Sequence, residues 1–210
     1  MNSLAWSAAV GMFLCSSMAR ADATTGSATT TEEMPTLIAG PITHGGFGGP
    51  MVGYTRVNGE DAVAVGARGG WLINHRLVIG GGGWGIANDL AVPKGAATDP
   101  RQQRLTFGYG GFWTEYIFTP MRLVHGSIGA LIGGGGLTYQ QDDTDDKAGS
   151  ASDAVFVVEP NVTVELNVIK AMRLALFTSY RIVRDVDLAG LDSGAVSGFS
   201  GGMMLKFGVF

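Results

Sequence analysis

Three features are scarce in this 210-residue chain, and each scarcity excludes a class of protein. Cysteine occurs once, at Cys15, which excludes a disulfide-stapled scaffold. Charged residues are only 15% of the chain, with 14 Lys and Arg against 18 Asp and Glu, too few and too acidic for a disordered chain or a nucleic-acid binder. No apolar run reaches the roughly 20 residues with which a helix crosses a bilayer. What is abundant is glycine, at 34 residues, within a chain that is 46% hydrophobic. Each glycine inside a helix costs about 1 kcal/mol relative to alanine, so a helical bundle is excluded and a glycine-rich β protein remains. The length fits one domain, such as a closed sheet of about eight strands.

The first residues read as a targeting segment. Leu4 to Leu14 is a short apolar run followed by Ala19-Arg20-Ala21, the small-x-small pattern of a secretory signal peptide spanning 1–21. No Lys or Arg precedes the run, so the usual positive start is missing. Cys15 follows Met12-Phe13-Leu14 where a lipoprotein needs a small residue, which makes a poor lipobox. Cleavage after Ala21 would leave no cysteine and move the formal charge from −4 to −5, Arg20 being the one charge removed. Residues 22–44, rich in Thr, Ser and Ala with Pro35 and Pro41, read as a linker, and 45–210 as the folded domain.

From Gly45 onward the pattern is two-residue alternation. Phe156, Val158, Pro160, Val162, Val164 and Leu166 fall on one face, opposed to Val157, Glu159, Asn161, Thr163 and Glu165. Eight strands are expected near 47–57, 62–72, 77–86, 104–118, 123–139, 154–166, 173–184 and 196–210. Asn58-Gly59 is the pair that a two-residue hairpin turn prefers, and Asn74-His75 and Thr119-Pro120 mark further reversals. Connections after strands two, four and six are short, whereas 87–103, 140–153 and 185–194 are long and polar. This asymmetry suits an antiparallel up-and-down transmembrane β-barrel, with short turns at one rim and long loops at the other. Closure satisfies the backbone groups that lipid cannot.

The placement of charge decides the polarity. Arg68, Glu115, Glu159, Glu165, Arg173, Arg181 and Lys206 lie opposite greasy faces, which predicts a lumen charge network of four cations and three anions inside an apolar cylinder. Pairing offsets much of their desolvation. One strand breaks a single parity, since Phe107 and Tyr109 share theirs with Trp113 and Glu115, and a bulge at Gly110-Gly111 would resolve it.

These features resemble the small eight-stranded outer-membrane β-barrels of the OmpA-like type. The resemblance covers about Gly45 to Phe210 and is carried by Gly66-Ala67-Arg68-Gly69-Gly70-Trp71, Glu159 through Asn167, Ser179-Tyr180-Arg181 and the terminal Phe210. It implies an outer-membrane location, a periplasmic linker at 22–44, and outer-membrane lipid, lipopolysaccharide and the barrel-insertion machinery as partners. No cofactor, metal or nucleic acid is expected. The terminus departs from the group's pattern, because Lys206 and Gly208 share the parity of Phe210.

Other motifs have plainer readings. Gly80 to Gly83 and Gly133 to Gly136 lack the Gly-Lys-Ser/Thr and helix of a phosphate loop, and suit close strand packing or sheet curvature. Asp142, Asp143, Asp145 and Asp146 offer oxygen ligands without EF-hand spacing, so a solvated loop tip is favoured over cation bridging to lipopolysaccharide. His125-Gly126-Ser127 is similar to the His-x-Ser pair of outer-membrane lipid A deacylases but lacks the Asn that follows, which favours a polar lumen contact. Asn161-Val162-Thr163 is a chance sequon within a strand. Trp71, Trp84, Trp113, Tyr116 and Phe118 suit either interfacial girdles or core packing. Lys94, Arg101 and Arg104 flank a loop where they meet solvent or lipid phosphate. The leading function is a non-enzymatic integral outer-membrane protein, structural or acting through its loops; the alternatives are a lipid-modifying hydrolase and a soluble lipocalin-like barrel.

Overall fold

The computed structural model describes residues 41–92, 102–141 and 151–210. The expected signal peptide, nearly all of the linker, Lys94, Arg101 and the acidic run at 142–146 lie outside the described residues.

Eight long strands carry the alternation: β1 (His44–Val57), β2 (Glu60–Ile73), β3 (Leu77–Ile86), β5 (Gln102–Phe118), β6 (Val124–Gln141), β7 (Ala151–Ile169), β8 (Met172–Arg184) and β9 (Gly198–Val209). A two-residue strand, β4 (Leu90–Ala91), lies against β5. Each long strand pairs antiparallel with the next, and β1 pairs with β9, so the sheet closes as an eight-stranded up-and-down barrel. Strands β1, β2 and β7 extend beyond the expected limits because pairing continues past the point where the hydrophobic signal stops, and His44, assigned above to the linker, begins β1.

Short turns at 74–76, 119–123 and 170–171 share one rim, here the turn end, with the start of β1 and the finish of β9. The opposite rim, here the loop end, is where β3, β6 and β8 finish, and it carries the connection 185–197. Asn58 and Gly59 also turn at the loop end, with φ of 53° and 79°, the doubly left-handed turn whose twist matches a hairpin.

Two expectations are corrected. The register of β5 runs unbroken through Gly110 and Gly111 against both neighbours, so no bulge lies there; the irregularities fall at Gln102/Arg104 and Asn167/Ile169. The segment 185–194 is not simply polar: a short helix, α1 (Ser193–Val196), occupies its far end, where residue 196 was expected to open a strand. Leu188, Leu191 and Val196 from this connection are buried in the core cluster. Asp192 caps α1 by accepting from the Ala195 amide at 2.7 Å.

The glycine runs lie in the wall. A Cβ on Gly133 would stand 2.1 Å from the Gly110 carbonyl oxygen, and one on Gly80 2.0 Å from that of Gly69. Only a residue without a side chain allows the wall to bend this tightly.

Candidate functional site: the charged lumen

Alternation sorts the side chains into an outer and an inner set. Val52, Val65, Ile79, Phe112, Ile132, Val162, Leu176 and Met203 are exposed on the outer face. Arg68, Glu115, Glu159, Glu165, Arg173, Arg181 and Lys206 are all at most 5% exposed and point inward. A soluble lipocalin-like barrel would have the opposite arrangement over this band, which argues against that alternative.

Aromatic residues divide in the same way. Trp71, Tyr116 and Phe118 are exposed near the turn end, and Tyr54, Tyr180 and Phe199 near the loop end, the last two in edge contact at 4.8 Å. These are two girdles, where amphipathic rings suit a membrane interface. Trp84 and Trp113, by contrast, are buried in the lumen. Phe210 turns inward, stacking on Phe47 at 5.9 Å, while Phe207 and Val209 face out, which settles the register of the last strand.

The seven charges do not form one network. Toward the turn end, Lys206 Nζ lies 3.0 Å from Glu115 Oε2 and 2.5 Å from Glu165 Oε1. Ser127 donates its hydroxyl to Glu115, and His125 Nε2 lies 3.3 Å from Glu165 Oε2. Arg173 Nη1 approaches the same oxygen at 3.6 Å, and its guanidinium covers the Phe210 ring at 4.0 Å. Farther up, Arg68 lies over Trp113 at 3.3 Å. Glu159 accepts from Tyr109 Oη at 2.7 Å and from Ser179 Oγ at 2.5 Å. Arg181 donates to backbone carbonyls instead, Val196 O at 2.9 Å and Arg56 O at 3.1 Å, tying α1 to the wall.

Sequence reasoning missed Tyr109 and Ser179 as partners of Glu159, although both share the parity of the charges. His125 and Ser127 are the polar lumen contacts that the plainer reading expected. Ser127 donates to carboxylates, and the His125 Nδ1 lies 3.2 Å from the Arg122 carbonyl. The Ser127 hydroxyl is buried in the lumen, away from the outer face of the wall, where a deacylase nucleophile would need to meet lipid. Asn161 also points inward and is buried within β7.

Chemically, the cluster brings ion pairs and hydrogen bonds out of water and fills the bore. An eight-stranded barrel is just wide enough for side chains to occupy its interior. Large groups sit over glycines on neighbouring strands: a Cβ on Gly129 would meet Trp113 at 2.8 Å, one on Gly135 Tyr109 at 2.7 Å, and one on Gly202 Phe177 at 2.8 Å. Among the described residues, no group of three or more His, Cys, Asp or Glu could hold a metal ion.

No protein-family model and no curated protein matches the chain. Solved structures do. Neisserial surface protein A (NspA) aligns with a TM-score of 0.56 at 12% identity, over 81% of this chain and 99% of that one. The N-terminal β-barrel domain of Pseudomonas aeruginosa OprF aligns with a TM-score of 0.48 at 8% identity, over 79% and 96% of the two chains. Ail, the attachment invasion locus protein of Yersinia pestis, solved with the heparin analogue sucrose octasulfate, gives 0.47 at 10% identity, over 79% and 97%. Such low identity speaks for the fold alone, and the fold is that of the small eight-stranded outer-membrane β-barrels.

Proposed function

We propose that this chain is a non-enzymatic integral outer-membrane protein, a sealed barrel that acts by holding its loop end at the cell surface. One observation carries the reading: below Arg56, Asp61, Arg104 and Arg184, the outer face of the described strands bears no Asp, Glu, Lys or Arg, while charged side chains lie within. Water would not select that distribution, and a hydrocarbon band would. The eight long strands, 10 to 19 residues each, reach the roughly 9–11 residues a tilted strand needs to cross.

By this reading residues 1–21 are a signal peptide, 22–43 lead from the periplasm, and the insertion machinery and outer-membrane lipid, including lipopolysaccharide, are the partners. Packing of the lumen and of Leu188, Leu191 and Val196 at the loop end supports a closed bore rather than a pore. The test is fractionation, followed by electrophoresis of heated and unheated samples in detergent. A membrane-bound species of about 19 to 20 kDa after cleavage, migrating faster unheated, is expected. Monomeric protein in detergent-free buffer would overturn the proposal.

A further inference from the structure

The turn end of the barrel holds a cavity of about 680 Å³, lined by Met121, Asn167, Ile169, Lys170, Arg173 and Phe210 among others. Its walls are pre-formed: the Asn167 side-chain amide donates to Arg122 O at 2.8 Å and to Pro120 O at 3.3 Å, and the Gly208 amide to Ala171 O at 3.0 Å. Arg173 is 5% exposed, and its Nη1 has no hydrogen-bond partner. The nearest carboxylate, Glu165, lies 3.6 Å away and already carries Lys206. A buried guanidinium at the wall of an open cavity, held by one long ion pair to a carboxylate that Lys206 already neutralises, leaves positive charge for an anion there.

Two further features specify the anion. The described turns at this end, 74–76, 119–123 and 170–171, contain Arg76, Arg122 and Lys170 and no Asp or Glu. The lip of the cavity is apolar, because Met121, Ile169 and Val209 are strongly exposed and continue the greasy outer face. A phosphate beside Arg173 and Lys170 would leave attached acyl chains against that lip.

We propose that this vestibule binds the phosphate headgroup of an anionic phospholipid from the inner leaflet, with Arg173 and Lys170 holding the phosphate and Met121, Ile169 and Val209 meeting the chains. This rests on the membrane reading above, which puts the turn end at that leaflet. Inorganic phosphate shares the headgroup chemistry but has no use for the lip.

The test is native mass spectrometry of the full chain purified in detergent and offered phosphatidylglycerol or phosphatidylcholine. One retained phosphatidylglycerol, preferred over phosphatidylcholine, is expected. Lys170→Glu should lower its retention about tenfold, and Arg173→Gln should also lower it. Arg76→Glu, on a turn that does not line the cavity, should leave it unchanged. Should Arg173→Gln fail to fold, Lys170→Glu still decides. Equal losses for Arg76→Glu and Lys170→Glu, no lipid preference, or displacement by millimolar inorganic phosphate would each overturn the assignment. A protein that keeps its heat-shifted migration but retains no phosphatidylglycerol overturns the vestibule alone, whereas a detergent-free soluble monomer overturns the membrane reading.

Discussion

The same strands obey opposite rules at their two ends. Near the loop end, Arg56, Asp61, Arg104, Ser152 and Arg184 face out, while Val57, Ala62, Leu105, Val155 and Val183 are buried within. That is the polarity of a soluble protein. Over the rest of the wall the sense reverses, with Val65, Val162, Leu176 and Met203 outside and Arg68, Glu165, Arg173 and Lys206 inside. Tyr54, Tyr180 and Phe199 mark the level of the change. The lumen is sealed accordingly by two means, apolar packing with Leu188 and Leu191 above and paired charge below. A boundary that crosses several strands at one level records a change of solvent, since strand propensity alone has no reason to reverse there.

The paired charge is where the comparison breaks hardest. Lys206→Met leaves Glu115 and Glu165 facing each other without their shared cation. Removing one partner of a buried pair costs about 3–5 kcal/mol, to be read from urea unfolding in lipid vesicles; an unchanged midpoint would mean that water already solvates the cluster. Next comes the outer band. Val162→Arg puts a charge on a position that is 55% exposed in the middle of the apolar face. If lipid is the solvent there, the loss is about 2–4 kcal/mol by the same assay, and a value near zero would favour water.

Much of this was legible because a strand's period of two separates its faces regardless of what the faces contact. What misled was the assumption that one parity carries one polarity. Phe107, Tyr109, Trp113 and Glu115 all point inward along a stretch of β5 whose register is unbroken, since the lumen itself passes from apolar to charged along that strand. A bulge was therefore the wrong remedy. The partners inside the lumen were not legible, because Tyr109 meets Glu159 across 50 residues of chain through the stagger of the closed barrel. Nor could the sequence assign each glycine its opposing side chain. Gly129 faces Trp113 and the Thr114 carbonyl, and Gly129→Ala would put a methyl 2.8 Å and 2.7 Å from them. Overpacking of this kind costs about 1–3 kcal/mol, measurable as a lowered unfolding midpoint with retained membrane insertion.

The smallest expected effect locates the boundary most sharply. Arg184 ends β8 on the outer face, opposite Phe156, and is exposed. Arg184→Val exchanges a charge for a good strand former, and in water an exposed change of this sort stays within about 0.5 kcal/mol. Were Arg184 within the hydrocarbon, the same exchange would remove a charge from lipid and stabilise the barrel by about 2–4 kcal/mol. Arginine placed in turn at Ile182, Tyr180, Thr178 and Leu176 walks down the same face of β8. Its penalty should rise toward Leu176, because the cost of a charge depends on depth. A flat series would mean that the change of polarity on this strand does not coincide with a change of solvent.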